Sequence, residues 1–151
     1  MGVRRLRVHG SAIDLEVAVA ATRTRETVSV VLPLEPESAS RARRAVQACR
    51  KSLDRASFLD LELLINELVA EALIARPRSP GVTLGLQADP RDDRVNAEVV
   101  THAEAYRLPP RLPEAGEPGW GLHLVRMVAD RWGVRREVGM AGAWIEMRRG
   151  G

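Results

Sequence analysis

Cysteine is almost missing from this 151-residue chain: Cys49 stands alone, which excludes an internal disulfide and a cysteine-rich zinc site. Three histidines give little material for a dedicated metal centre. Aromatic residues amount to 3 Trp, 1 Tyr and 1 Phe, so there are few platforms on which nucleic-acid bases could stack. Lysine is absent except for Lys51; the other basic residues are arginines. The 23 basic residues face 20 acidic ones, for a net charge of +3 with a pI near 9.9. The acids are interspersed along the chain, and no sustained basic stripe stands out, so nucleic-acid binding is not expected. An apolar run of about 18 residues, the length that spans a membrane, does not occur. Arg4, Arg5 and Arg7 ahead of the apolar-rich stretch Ile13 to Ala21 have the outline of a secretory leader. Asp14 and Glu16 interrupt that stretch, however, and the expectation is a cytoplasmic protein.

What is present is the material of a folded domain. Hydrophobic residues make up 45% and charged residues 28%, the balance of a globular rather than a disordered chain. A chain of this length builds one domain and hides roughly 70% of its unfolded surface without staples.

Periodicity then sets the expected elements. Ile13, Leu15, Val17 and Val19 alternate with Asp14, Glu16, Ala18 and Ala20, the pattern of a strand that either pairs with the next one or stays a loose extension. Thr27 to Leu34 is a β-branched strand closed by Pro33 and Pro36. Ser38 or Ser40 is placed to cap a helix to about Arg55, with Ala42, Val46, Cys49 and Leu53 on one stripe. Ser57 or Asp60 opens a second helix, apolar nearly all round and therefore central and buried, which Pro77 and Pro80 end. Val82 to Leu86 and Val95 to Val99 form a hairpin around Asp89 to Asp93. Residues 103–118 hold Pro109, Pro110, Pro113 and Pro118 without a period, a long loop of the kind that carries function. A third helix runs from Gly119–Gly121 to Arg131 with Gly133 as its C-cap, and a last hairpin turns at Gly139 to Gly142. The fold class is α+β: a two-layer α/β sandwich whose mixed, mostly antiparallel sheet carries its helices on one face.

Three places offer chemistry. Glu67 and Glu71, four residues apart, share a face of the second helix. They read either as its solvated edge or as a pocket wall carrying a base or a cation ligand. Gly119-Trp120-Gly121-Leu122 opens the third helix, where glycine lets backbone N–H groups approach an anion; a tight turn alone would look the same. Val99 to His102 ends a strand beside the long loop, a common ligand position, although a lone His there usually sits on the surface. Cys49, on an apolar stripe, reads as a core thiol.

In chain order these pieces resemble the anti-sigma-factor and serine-protein-kinase branch of the histidine-kinase-like (GHKL) ATPases. The resemblance covers about residues 28–148 and leaves 1–27 as an N-terminal extension to a domain spanning 28–151. It is carried by Leu32-Pro33-Leu34-Glu35-Pro36 ahead of Arg41-Ala42-Arg43-Arg44, by Leu63-Leu64-Ile65-Asn66-Glu67-Leu68-Val69, and by Gly119-Trp120-Gly121-Leu122-His123-Leu124-Val125. Ala129-Asp130-Arg131-Trp132-Gly133-Val134 and Ala143-Trp144-Ile145-Glu146 follow.

The resemblance implies a Bergerat-type fold that binds ATP and Mg²⁺ between helices and sheet. Glu67 takes the position of the family's general base. Glu71 stands where the family has the Mg²⁺-binding Asn, and Thr101 where it has the Asp that accepts from adenine. Gly119, Gly121 and Leu122 keep the phosphate turn in reduced form. A Glu can ligate Mg²⁺ but brings a negative charge toward the polyphosphate. Thr lacks the charge assistance of Asp, a loss of about 1.5–3 kcal/mol.

The expectation is therefore a regulator that binds a sigma factor or its antagonist, with ATP binding weakened or lost, as in a pseudokinase. The alternatives are a working ATP-Mg-dependent protein-serine kinase and a nucleic-acid binder built on Arg4, Arg5, Arg7, Arg135, Arg136, Arg148 and Arg149. A homodimer is implied by the resemblance.

Overall fold

The computed structural model describes residues 3–8, 15–22, 25–74, 81–101, 114, 117 and 119–149, with the backbone alone for those before Thr27. In chain order the elements are β1 (Val3–Val8), β2 (Leu15–Thr22), β3 (Arg25–Pro33), α1 (Ser38–Val46), a 3-10 helix (Gln47–Ser52), α2 (Arg55–Ile74), β4 (Thr83–Pro90), β5 (Arg94–Thr101), α3 (Trp120–Val128), β6 (Arg131–Glu137) and β7 (Met140–Arg148). The strands make one sheet in the order β1-β2-β3-β4-β5-β7-β6. Every pairing in it is antiparallel, so the mostly antiparallel sheet expected from the sequence has no parallel neighbours among the described residues.

Register explains the two layers. Val30, Leu86, Val99 and Ala143 lie side by side across β3, β4, β5 and β7, and all are buried. The neighbouring row, Leu32, Leu84, Thr101 and Ala141, is buried too. Because side chains alternate along a strand, these rows share one face of the sheet, and α1, the 3-10 helix and α2 cover it. On the other face Val31 and Gln87 are exposed. From α2, Leu61, Leu64, Ile65, Leu68 and Val69 enter the core, joined by Cys49 and Val46. The core role expected for Cys49 is met.

Several boundaries differ from the sequence reading. The first helix tightens into the 3-10 form after Val46 and stops at Ser52. Neither Ser38 nor Ser40 caps it. The Ser38 hydroxyl donates to the Pro33 carbonyl and accepts from the Glu35 N–H, closing the turn that precedes the helix. Asp54, not Ser57 or Asp60, opens α2: its carboxylate accepts the Ser57 N–H at 2.9 Å, a short polar side chain closing an otherwise orphaned donor of the first turn. Burial and the Ser57 hydrogen bonds act on that carboxyl in opposite senses, and the hydrogen bonds prevail, holding it below its ordinary pKa.

At the other end of the chain, α3 stops at Val128, and Gly133 lies inside β6 rather than at a helix C-cap. A Cβ there would fall 2.7 Å from the Trp144 indole nitrogen, so glycine is kept for close packing and not for a cap. The last hairpin turns at Val138-Gly139, where Gly139 has φ 74°, and Ala141 to Gly142 belong to β7. The alternating stretch near the N-terminus is β2, paired with β3 from Thr22↔Arg25 to Ala18↔Ser29. The arginine-rich start forms a strand, β1, that its composition did not signal. Pro77, Pro80, His102 and all of the 103–118 loop except Glu114 and Glu117 lie outside the described residues. Among the described residues, no helix is long and apolar enough to cross a membrane.

Candidate functional site

The site is assembled where α2 and α3 lie against one another. Gly119 has φ 92°, a left-handed conformation that a side chain would strain, and it turns the chain into α3. Two residues on, Gly121 leaves room for α2. A Cβ at that position would sit 2.7 Å from a carboxylate oxygen of Glu67 and 3.2 Å from one of Glu71. The i, i+4 spacing of the two acids therefore aims both at the same turn of α3. Leu122 follows with its side chain in the core.

Glu71 is the unusual member. It is 8% exposed, the one charged side chain of the described residues that is buried. The Gly121 N–H donates to its Oε1 at 3.2 Å, and the Gly119 N–H supports the same carboxylate. Burial pushes the Glu71 carboxyl above its ordinary value. The two backbone donors pull against that shift, and the neighbouring charge of Glu67 adds to it. A buried carboxylate costs several kcal/mol unless donors satisfy it, and the open N–H groups at a helix start supply them. Glu71 thus places its carboxyl group on the N-terminus of α3. Its reading as a solvated helix edge is overturned; Glu67, only half-buried, keeps partial contact with solvent.

Thr101 lies apart, in the sheet. Its buried hydroxyl donates to the Ala141 carbonyl at 3.1 Å, across the β5–β7 pairing. That bond uses the hydroxyl proton and leaves the oxygen lone pairs able to accept. The structure therefore brings Glu67, Glu71, Gly119, Gly121 and Leu122 to one place, and no hydrogen bond among the described residues ties Thr101 to them. One neighbour escaped the sequence reading: Arg43 of α1 donates through Nη1 to Asn66 Oδ1 at 2.8 Å, beside Glu67. Its position off the apolar stripe of α1 was the available signal. Of the seven arginines considered for a nucleic-acid patch, Arg135 pairs with Glu98, Arg148 with Asp130, and Arg149 donates to the Arg91 carbonyl.

An antiparallel sheet with its helices on one face, and a glycine turn at the head of α3 facing the central helix, make an α+β sandwich of the histidine kinase-like ATPase type. The chain belongs to the histidine kinase-like ATPase domain family, whose model matches residues 32–149. No curated protein matches the chain.

Membership in an ATPase family brings an expectation of ATP with Mg²⁺, and the described residues do not fit that pair as they stand. The Gly121 N–H that would receive a phosphate is engaged by the Glu71 carboxylate at 3.2 Å. A phosphate arriving there would meet that carboxylate, and like charges in a poorly solvated place repel.

Proposed function

We propose that this chain is a regulatory member of the anti-sigma-factor branch of its family, acting in the cytoplasm by binding a protein, a sigma factor or its antagonist, with nucleotide binding weakened or lost. One observation carries the reading: the Glu71 carboxylate occupies the backbone donors at the start of α3. An internal carboxyl group needs no recruitment from solution, so it holds its place against a dissolved phosphate without the entropy cost of association. Thr101 supports the same conclusion at the adenine end, since a neutral hydroxyl offers a weaker acceptor than a carboxylate. Calorimetric titration with ATP and Mg²⁺ is the direct test. The expected result is no saturable heat up to roughly 1 mM nucleotide, equivalent to less than about 4 kcal/mol of binding. Micromolar binding would overturn the proposal.

Glu67 favours a second reading. It is half-buried beside Gly121, and by the resemblance it takes the position of the family's general base, which would accept a proton from a serine hydroxyl. Under that reading the protein is an ATP-dependent serine kinase, and Glu71 leaves Gly121 to hold Mg²⁺. Transfer of labelled phosphate from ATP to an antagonist protein, abolished in Glu67→Gln, is what it requires.

A further inference from the structure

The antiparallel hairpin of α1, the 3-10 helix and α2 has an unusual solvent face. Its register is set by three contacts: Arg43 Nη1 to Asn66 Oδ1 at 2.8 Å, Gln47 Nε2 to Glu62 Oε1 at 3.0 Å, and the Arg50 guanidinium 5.8 Å from the Phe58 ring centre. Beside this seam, Leu59 is 51% and Leu63 40% exposed. They are four residues apart and form a short apolar ridge along α2. On the other side of the seam, Arg43, Arg44, Arg50 and Lys51 are all exposed. Between Ser38 and Arg55 the chain has six cationic residues and one acidic residue, Asp54, whose carboxylate is engaged by Ser57.

Ion pairing sharpens the contrast. On the sheet, Arg91, Arg94, Arg131, Arg135 and Arg148 each have a carboxylate partner. Among the described residues none pairs with Arg43, Arg44, Arg50 or Lys51. Leaving several cations together without counter-charges costs stability through mutual repulsion, and exposed leucines gain nothing from water.

We propose that this face docks an acidic amphipathic helix of a partner protein, its apolar side chains on Leu59 and Leu63 and its carboxylates opposite Arg43, Arg44, Arg50 and Lys51. Charge selects the occupant. A second copy in parallel register would set cations against cations; an antiparallel one would bring Asp60 and Glu67, which adjoin Leu63 on the far flank of the ridge, onto them, and a dimer is therefore an outcome of the test below. A nucleic acid finds no aromatic platform here, because Phe58 is 6% exposed, and it gains nothing from the leucine ridge. An acidic helix answers both features, by the groove-binding mode in which i, i+3, i+4 and i+7 positions anchor.

The inference rests on the reading of the chain as a protein-contact regulator, and it names the kind of surface that such contact uses. The probe is a synthetic helical peptide of about 18 residues with leucine at the anchor spacing and glutamate on both flanks. Its twin carries lysine in place of glutamate. Fluorescence anisotropy on the full chain is expected to show binding in the tens of micromolar range for the acidic peptide, weakened about tenfold by the double variant Arg44→Glu/Lys51→Glu and about fivefold by Leu63→Ser. Both variants alter exposed positions, and circular dichroism verifies that they fold.

Equal binding of the two peptides, or an acidic-peptide affinity untouched by both variants, overturns the proposal. So does tighter binding to a DNA duplex of about 20 bp or to phosphatidylserine vesicles, or a dimer that Leu63→Ser disperses in sedimentation. Micromolar ATP binding would refute the loss of the nucleotide site and leave these peptide results standing, so the two failures are told apart.

Discussion

The two ends of α2 invert the usual rule of burial in opposite senses. Near its C-terminal end the helix hides a carboxylate, Glu71, while near its start it shows Leu59 and Leu63 to solvent. The buried carboxylate is explained by what it meets: the backbone donors of Gly119 and Gly121 at the head of α3. Among the described residues the exposed leucines meet no such partner, and they lie instead beside cations of α1 and the 3-10 helix that have no carboxylate partner there. One inversion is thus settled inside the fold, and the other is directed outward. The comparison teaches that a residue out of place is informative only when its surroundings are read with it.

The largest effect that would sharpen this contrast comes from the apolar face between the two inversions. Leu64 is fully buried, and Leu64→Ala is expected to destabilise the chain by about 2–5 kcal/mol in urea unfolding, as a cavity-forming truncation does.

The next effect concerns Glu71. Its carboxyl is raised above the ordinary 4.5 in the folded state, chiefly by burial. The folded chain therefore holds the Glu71 proton more tightly than the unfolded chain does. Stability from this group is complete below pH 4.5 and is lost as pH rises through the elevated folded value. Urea midpoints measured from about pH 5 to pH 8 should fall with pH in the wild type, and Glu71→Gln should remove that component. A Gln keeps an acceptor for the Gly121 N–H and sheds the buried charge. A wild-type profile rising with pH, restored to flat by no change at position 71, would break the comparison by showing that the carboxylate is not desolvated.

The smallest effect belongs to the outward inversion. Leu63→Ser should change stability by no more than about 0.5 kcal/mol, the usual range for an exposed position. A loss near that of Leu64→Ala would mean that the leucine ridge is part of the core and not a surface for another molecule.

Much of the architecture was readable in advance. The alternation of Val82, Leu84 and Leu86 against Val95, Ala97 and Val99 specified the central hairpin; the structure pairs the two strands in register, with Val82 just outside β4 and with Asp89 and Pro90 inside it rather than in the turn. The glycine turn at Gly119 to Gly121 was legible because left-handed geometry and close approach both favour glycine. Helix boundaries were less legible. Asp54 was passed over as a cap because Ser57 and Asp60 also have capping chemistry, and only the hydrogen bond from the Ser57 N–H distinguishes them. Gly133 resembled a helix end because a glycine needed for indole packing and one needed for a positive φ look the same in sequence. For Glu67 and Glu71 the spacing placed both on one face but could not say what lay opposite.

From the sequence alone followed the elements other than β1 and the 3-10 helix, the two-layer class and the candidate residues, since periodicity and turn chemistry act over neighbouring positions. Tertiary structure decided which faces met. It brought Gly121 across fifty positions to Glu71, turning an acidic helix face into the cap of another helix. It also laid Arg43 and Gln47 along Asn66 and Glu62, gathering cations that a net charge of +3 had concealed. Both outcomes depend on contacts between residues distant in the chain, and local propensity carries no information about the partner that packing will supply.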